Sequence, residues 1–138
     1  MKRTLSITAG VLVAAALGLL VTGYMPGTIR RDSRGFMHGT GWWRYHYVSG
    51  ALKLEEHYVA GRLSLSRWFR PDGSMIAETH WRGGDGIGYF LRDDGSVRSK
   101  MEFRNEKAHG QAVYYKDDGV TVDYEAEFRD GQKMESDK

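Results

Sequence analysis

Four turn-like triplets punctuate the chain at near-regular intervals: Val48-Ser49-Gly50, Pro71-Asp72-Gly73, Asp93-Asp94-Gly95 and Asp117-Asp118-Gly119. Their glycines lie 23, 22 and 24 residues apart. Eight or nine residues after each comes an aromatic, namely Tyr58, Trp81, Phe103 and Phe128. An internal repeat of this length constrains the fold more than any local propensity, because each unit must be one supersecondary element stacked on its neighbours. Here each unit reads as one β-hairpin.

The hydrophobic period from Thr40 onward is two. Counting from each turn, Leu52, Leu54, Glu56 and Tyr58 share one face. So do Met75, Ala77, Thr79 and Trp81, then Val97, Ser99, Met101 and Phe103, then Val120, Val122, Tyr124 and Ala126. The opposite face is mostly charged. That alternation predicts strands half-buried in an antiparallel sheet. The strand before each turn is rich in aromatics (Trp42, Trp43, Tyr45, Tyr47; Trp68, Phe69; Tyr89, Phe90; Tyr114, Tyr115), which suit a pleated surface. Glycine at a hairpin turn supplies positive φ. The turn glycines expected are Gly50, Gly61, Gly73, Gly84, Gly88, Gly95, Gly110, Gly119 and Gly131, with Glu106 standing where the third unit would have its second turn glycine.

Eight strands are expected, at about 40–48, 51–59, 63–70, 74–81, 86–92, 96–103, 109–116 and 120–128. The expected fold is all-β: an elongated single-layer antiparallel β-meander of four hairpin repeats over 40–131, with a C-terminal tail at 132–138. A single layer leaves one apolar face wet, and burying one large side chain is worth about 1.5–3 kcal/mol. Either the sheet curls over that face, or a dimer, a partner protein or the terminal linker covers it.

Ahead of the repeats, Lys2 and Arg3 precede 26 residues without a charge. The stretch 1–25 reads as a hydrophobic helix, either a signal peptide or a membrane anchor. The stretch 26–39 reads as a linker. Arg30, Arg31 and Arg34 oppose translocation of the C-terminal part, while Lys2 and Arg3 favour it. The expectation is export: repeats anchored outside the cytoplasm of a bacterial cell, or periplasmic or secreted if the segment is cleaved. The formal net charge is +2, and it comes from Lys2 and Arg3, so the remainder is neutral. That argues against nucleic-acid binding, which needs a basic surface. There is no cysteine, hence no disulfide framework and no thiolate metal site.

The frame aromatic-x-x-Gly-x-x-x-Gly, an aromatic pair and then Asp-Gly resembles the MORN repeat, most closely the divergent bacterial variety labelled as a toxin–antitoxin antitoxin. It reads Trp81-x-x-Gly84-x-x-x-Gly88, then Phe103 with Gly110. Tyr58 and Phe128 keep only the first glycine. The resemblance covers about 40–131. It implies an elongated β-meander in protein–protein or lipid contact, with no shared active site.

Of the residues that invite chemistry, His57 and His80 share a column with Glu102 and Glu127, beside Glu55, Glu78, Lys100 and Glu125. Equivalent strands of successive hairpins lie two strands apart, about 9.5 Å, too far to share an ion without ligands from the strand between. A solvated charged face is the reading. The Asp-Asp-Gly turns lack the spacing of a calcium loop. Gly83-Gly84-Asp85-Gly86-Ile87-Gly88 lacks the spacing and helix of a phosphate loop, and no hydrolase or nucleotide motif occurs. No catalytic residue, cofactor or metal is expected.

The function expected is a non-enzymatic envelope protein acting as a protein–protein interaction platform, with a homo-oligomer left open. Its binding-face aromatics are Trp42, Trp43, Tyr45, Tyr47, Tyr58, Trp81, Phe103 and Phe128. Two alternatives stand beside it. One is a carbohydrate or cell-wall binding module using the first-repeat aromatics. The other is an antitoxin-like or immunity-like protein that neutralises an extracytoplasmic toxin.

Overall fold

A computed structural model describes residues 29–135 of the chain. The segment expected to be a signal or anchor helix, and the last three residues, lie outside the described residues. The described residues are all strands and turns, without a helix. None of their elements is a helix long and apolar enough to cross a membrane.

Eleven strands run in chain order: β1 (Arg30–Arg31), β2 (Met37–His38), β3 (Gly41–His46), β4 (Leu52–Val59), β5 (Arg62–Phe69), β6 (Met75–His80), β7 (Gly86–Leu91), β8 (Val97–Arg104), β9 (Lys107–Tyr115), β10 (Val122–Arg129) and β11 (Gln132–Lys133). The eight strands β3 to β10 match the eight expected within two residues at every end. The stretch expected as a linker contains the β1–β2 hairpin, and the expected tail begins with β11, paired to β10.

The described residues divide into two compact units, one of residues 29–42 and 58–62, the other of 43–57 and 63–135. In the first, β1 and β2 close over Asp32, whose carboxylate accepts the Arg34 and Phe36 amides at 2.9 Å each. The hydrogen bond from His38 to that carboxylate, joined by those amides, holds it below its ordinary pKa. The Gly61 amide donates to the Gly39 carbonyl at 2.7 Å, and the Ala60 amide to Thr40 Oγ1 at 3.0 Å.

In the second unit one turn is built four times. The amides of Gly50, Gly73, Gly95 and Gly119 donate to the carbonyls of Tyr47, Arg70, Arg92 and Lys116, and those four residues donate back across the turn to Ala51, Ser74, Ser96 and Thr121. This is a type I turn closed by a residue in the left-handed region. Beside three of them the ladder register slips, between Met75 and Ala77, Val97 and Ser99, and Val122 and Tyr124. The bulge interrupts the period of two, so Met75, expected on the apolar face, is 53% exposed.

The other turns are two-residue loops with both residues at positive φ: Ala60-Gly61, Gly83-Gly84, Asn105-Glu106 and Asp130-Gly131. Gly88 and Gly110, expected at turns, lie instead inside β7 and β9. Gly88 makes room for Phe103, whose Cε2 would stand 2.9 Å from a Cβ there, and Gly110 makes room for the Glu102 carboxylate.

The strands form sheets of order β1-β2, β3-β4-β5-β6 and β11-β10-β9-β8-β7, so one continuous meander is not what forms. The ladder stops between β6 and β7. Beyond the short Arg82–Asp85 bridge, side chains take over. Thr79 Oγ1 donates to the Ile87 carbonyl at 2.7 Å, and Trp81 occupies the space a Cβ on Gly86 would need. Trp68 tilts against Tyr89 with ring centroids 5.2 Å apart, and Trp81 meets Phe103 edge-on at 5.7 Å. Among the described residues the buried side chains include Ser66, Thr79, Ser99, Ala112 and Val113 together with Tyr47 and Trp68.

Candidate functional site

The charged face of β3 to β6 resolves into a chain of ion pairs. Arg44 Nε donates to Glu55 at 3.2 Å, Arg67 Nη1 reaches the same carboxylate at 3.4 Å, and Arg67 Nε donates to Glu78 at 2.6 Å. His80 sits 3.0 Å from Glu78. The Arg67 hydrogen bond, then the one to His80, holds the Glu78 carboxyl below its ordinary range. Thus β5, the strand between β4 and β6, places a guanidinium between Glu55 and Glu78. Among the described residues no group of three or more His, Cys, Asp or Glu is placed to hold a metal ion. Nothing in the repeat pattern singles out Arg67, because β5 is marked by its aromatics. Reflecting β5 and β6 about the Pro71–Gly73 turn sets it opposite Ala77; the bulge between Met75 and Ala77 moves its partner to Glu78.

The expected binding aromatics separate by environment. Tyr47 is 6% exposed, and its hydroxyl donates to the Phe69 carbonyl at 2.7 Å. Burial, the largest cause, raises its pKa, with Asp94 adding to the effect. Trp42 and Tyr45 are each 37% exposed. Trp43, Tyr58, Trp81, Phe103 and Phe128 are half-buried. Trp81 and Phe103 open onto an apolar groove.

That groove holds about 310 Å³. Leu54 and Leu63 come from β4 and β5, Trp68 from β5, Tyr89 and Phe90 from β7, and Phe103 from β8, with Trp81 at the end of β6. Glu56 and Glu106 are the charged residues of its wall. A second hollow of about 330 Å³ shares Leu54, Trp68, Tyr89 and Phe90 with it and is lined further by Tyr45, His46, Lys53, Leu91 and Arg98. Phe90, on the shared wall, is 38% exposed. A larger concavity of about 710 Å³ beside β10 and β11 is lined by Ala126 and Met134 and by the charged Glu125, Glu127, Lys133 and Glu135. Pockets of a few hundred Å³ with apolar walls and few polar groups are the usual form of a binding site.

Fold and groove together define a protein of antiparallel β-hairpin repeats with an aromatic-walled cleft. No family model, curated protein or solved structure matches the chain.

Proposed function

We propose that this chain is a non-enzymatic repeat protein of the bacterial envelope that binds another protein through the apolar groove between β4, β5 and β7. We read it as a divergent MORN-like array held at the membrane by its N-terminal segment, with its repeats outside the cytoplasm. The observation that carries the reading is the groove itself. Trp68, Trp81, Tyr89, Phe90 and Phe103 present apolar rings around about 310 Å³ that remains open. Aromatic residues of this kind dominate binding energy at protein interfaces. The charged face supports the same division of labour, since its Arg and Glu side chains are engaged with one another.

The test is affinity capture from cross-linked envelope, using the full-length chain and its Phe90→Ser variant. The expected result is a partner recovered with the parent and lost with the variant. Recovery of the same partner in equal amount by both would overturn the reading, as would a monodisperse monomer that captures nothing.

The cell-wall reading rests on the exposed Trp42 and Tyr45, because Tyr47 is buried and committed to Phe69. Cosedimentation of the full-length chain with peptidoglycan, weakened by Tyr45→Ser, is its expected signature.

A further inference from the structure

A strand that lies between two glutamate-bearing strands answers both of them. Arg67 of β5 joins Glu55 of β4 to Glu78 of β6. Gln111 of β9 does the same in the other sheet. Its amide donates to Glu102 of β8 at 3.0 Å, and its side-chain Nε2 donates to Glu125 of β10 at 2.9 Å. β10 has such a neighbour on one side only. On the other, β11 stops after two residues, whereas β5 has eight and β9 nine. Among the described residues, β11 and Met134 pair with 127–129 and leave 122–126 as a sheet edge. The Met134 amide donates to the Glu127 carbonyl at 2.8 Å, so the backbone groups of Glu127 face the β11 side. Backbone direction alternates along a strand, so the N–H and C=O of Glu125 face the same way. The Glu125 and Glu127 side chains are exposed on one face of that edge, and Tyr124, stacked on Tyr114 at 4.4 Å, is exposed on the other. The concavity of about 710 Å³ lies along it.

A row of open backbone groups is a template for another strand. We infer that the edge of β10 takes an extended segment of a partner protein, added antiparallel in the line of β11, with basic residues alternating with apolar ones. A basic side chain sits opposite Glu125, as Arg67 sits beside Glu55 and Glu78. The apolar ones sit beside Tyr124 and Ala126. In strand addition the main chain supplies affinity, and alternate side chains supply selectivity. A second copy of β10 is disfavoured in this place, since an antiparallel pair would set Glu125 and Glu127 against like charges. The edge is separate from the apolar groove, none of whose lining residues belongs to β9, β10 or β11.

The probe is acetyl-Val-Lys-Val-Lys-Val-amide, titrated onto the full-length chain while the backbone amide NMR signal of Glu125 and its hydrogen exchange are followed. Three variants accompany it: acetyl-Val-Glu-Val-Glu-Val-amide, the parent N-methylated on the backbone of both lysines, and the parent N-methylated on the backbone of the third and fifth residues. A residue opposite Glu125 turns its own N–H toward β10, and its neighbours turn theirs away. The parent and the valine-methylated peptide are therefore expected to bind alike, at least about fivefold more tightly than the other two. Both should slow exchange of the Glu125 amide. The preference over the acidic peptide should shrink at high salt and in Glu125→Gln, which keeps an acceptor for Gln111. Equal binding by the lysine-methylated peptide would reduce the contact to charge alone and overturn the inference. So would equal binding by the acidic peptide, the absence of a saturable shift, or a Glu125 amide already protected before peptide is added.

Discussion

The Trp81 indole Nε1 donates a hydrogen bond of 2.8 Å to Ser66 Oγ, and Ser66 is fully buried. A polar atom in a dry position is thereby satisfied by the repeat aromatic itself, which also wedges beside Gly86 where the ladder stops. The indole is a fastener as much as a wall of the groove.

Trp81→Phe keeps a ring but leaves the Ser66 hydroxyl without its donor. The expected cost is about 1–3 kcal/mol by chemical denaturation. Adding Ser66→Ala should return part of it, since removing both partners of a buried pair costs less than removing one. Strict additivity of the two substitutions in a double-mutant cycle would show that the hydrogen bond contributes nothing.

Much of this was legible in the sequence. The four aspartyl or seryl turns and the period of two placed eight strands within two residues, because turn chemistry and alternation are local. Residues 26–39 escaped because Asp32–Gly35 builds the same turn outside the regular spacing, and its two-residue strands are too short to show a period. The break between β6 and β7 escaped because it depends on where the Trp81 ring goes. The groove was half legible. Trp81 and Phe103 were named from the register, whereas Leu63, Phe90 and Glu106 join them only once β5, β7 and the β8–β9 turn are brought together.

Gly73 and Gly95 have the same backbone, φ +86° and +85°, in different surroundings. A Cβ on Gly73 meets nothing within 4 Å, whereas one on Gly95 runs into the Pro71 ring and comes 3.2 Å from the Tyr47 hydroxyl. Gly73→Ala is expected to cost about 1–2 kcal/mol for the conformation alone. Gly95→Ala should cost about 1 kcal/mol more, from crowding. Thermal denaturation of the two variants checks the order. Equal midpoints would mean that the Pro71 turn yields freely.

Glu106→Gly removes a Cβ from the left-handed region. Folding stability should rise by about 0.5–1 kcal/mol, the relief being partly offset by the freer unfolded chain. Thermal denaturation checks it, and a variant less stable than the parent would contradict the strain assigned to this position.

Three of the four repeat turns carry carboxylates held below their ordinary range. The Ser74 hydroxyl and amide lower Asp72, and the Ser96 hydroxyl and amide lower Asp94. Asp118 is lowered furthest, to about 2, by the Thr121 hydroxyl first and then by the Val120 and Thr121 amides. A folded pKa below the unfolded one means stability that is complete above about pH 4. It is lost as the pH falls from there through about 2, the value for Asp118. Melting temperature should therefore decline across that interval. In Asp118→Asn, which keeps an acceptor but does not titrate, the decline should be shallower. An unchanged slope would remove Asp118 from the account.

The two-residue turns clasp their predecessors. Glu106 donates its amide to the Gly84 carbonyl, Gly131 donates to Ala108, and Asn105 is caught by the Asp85 carboxylate. On the opposite edge, Tyr47 reaches Phe69, and Arg92 reaches Tyr115 at 2.6 Å. Every clasp spans 20 to 23 residues of chain. Length is therefore quantised. A segment of one full period can be added or excised and the fasteners will meet again, whereas a gain or loss of half a period leaves every later hook facing a strand instead of a loop. Tandem duplication is then the one change in length that this architecture accepts without redesign.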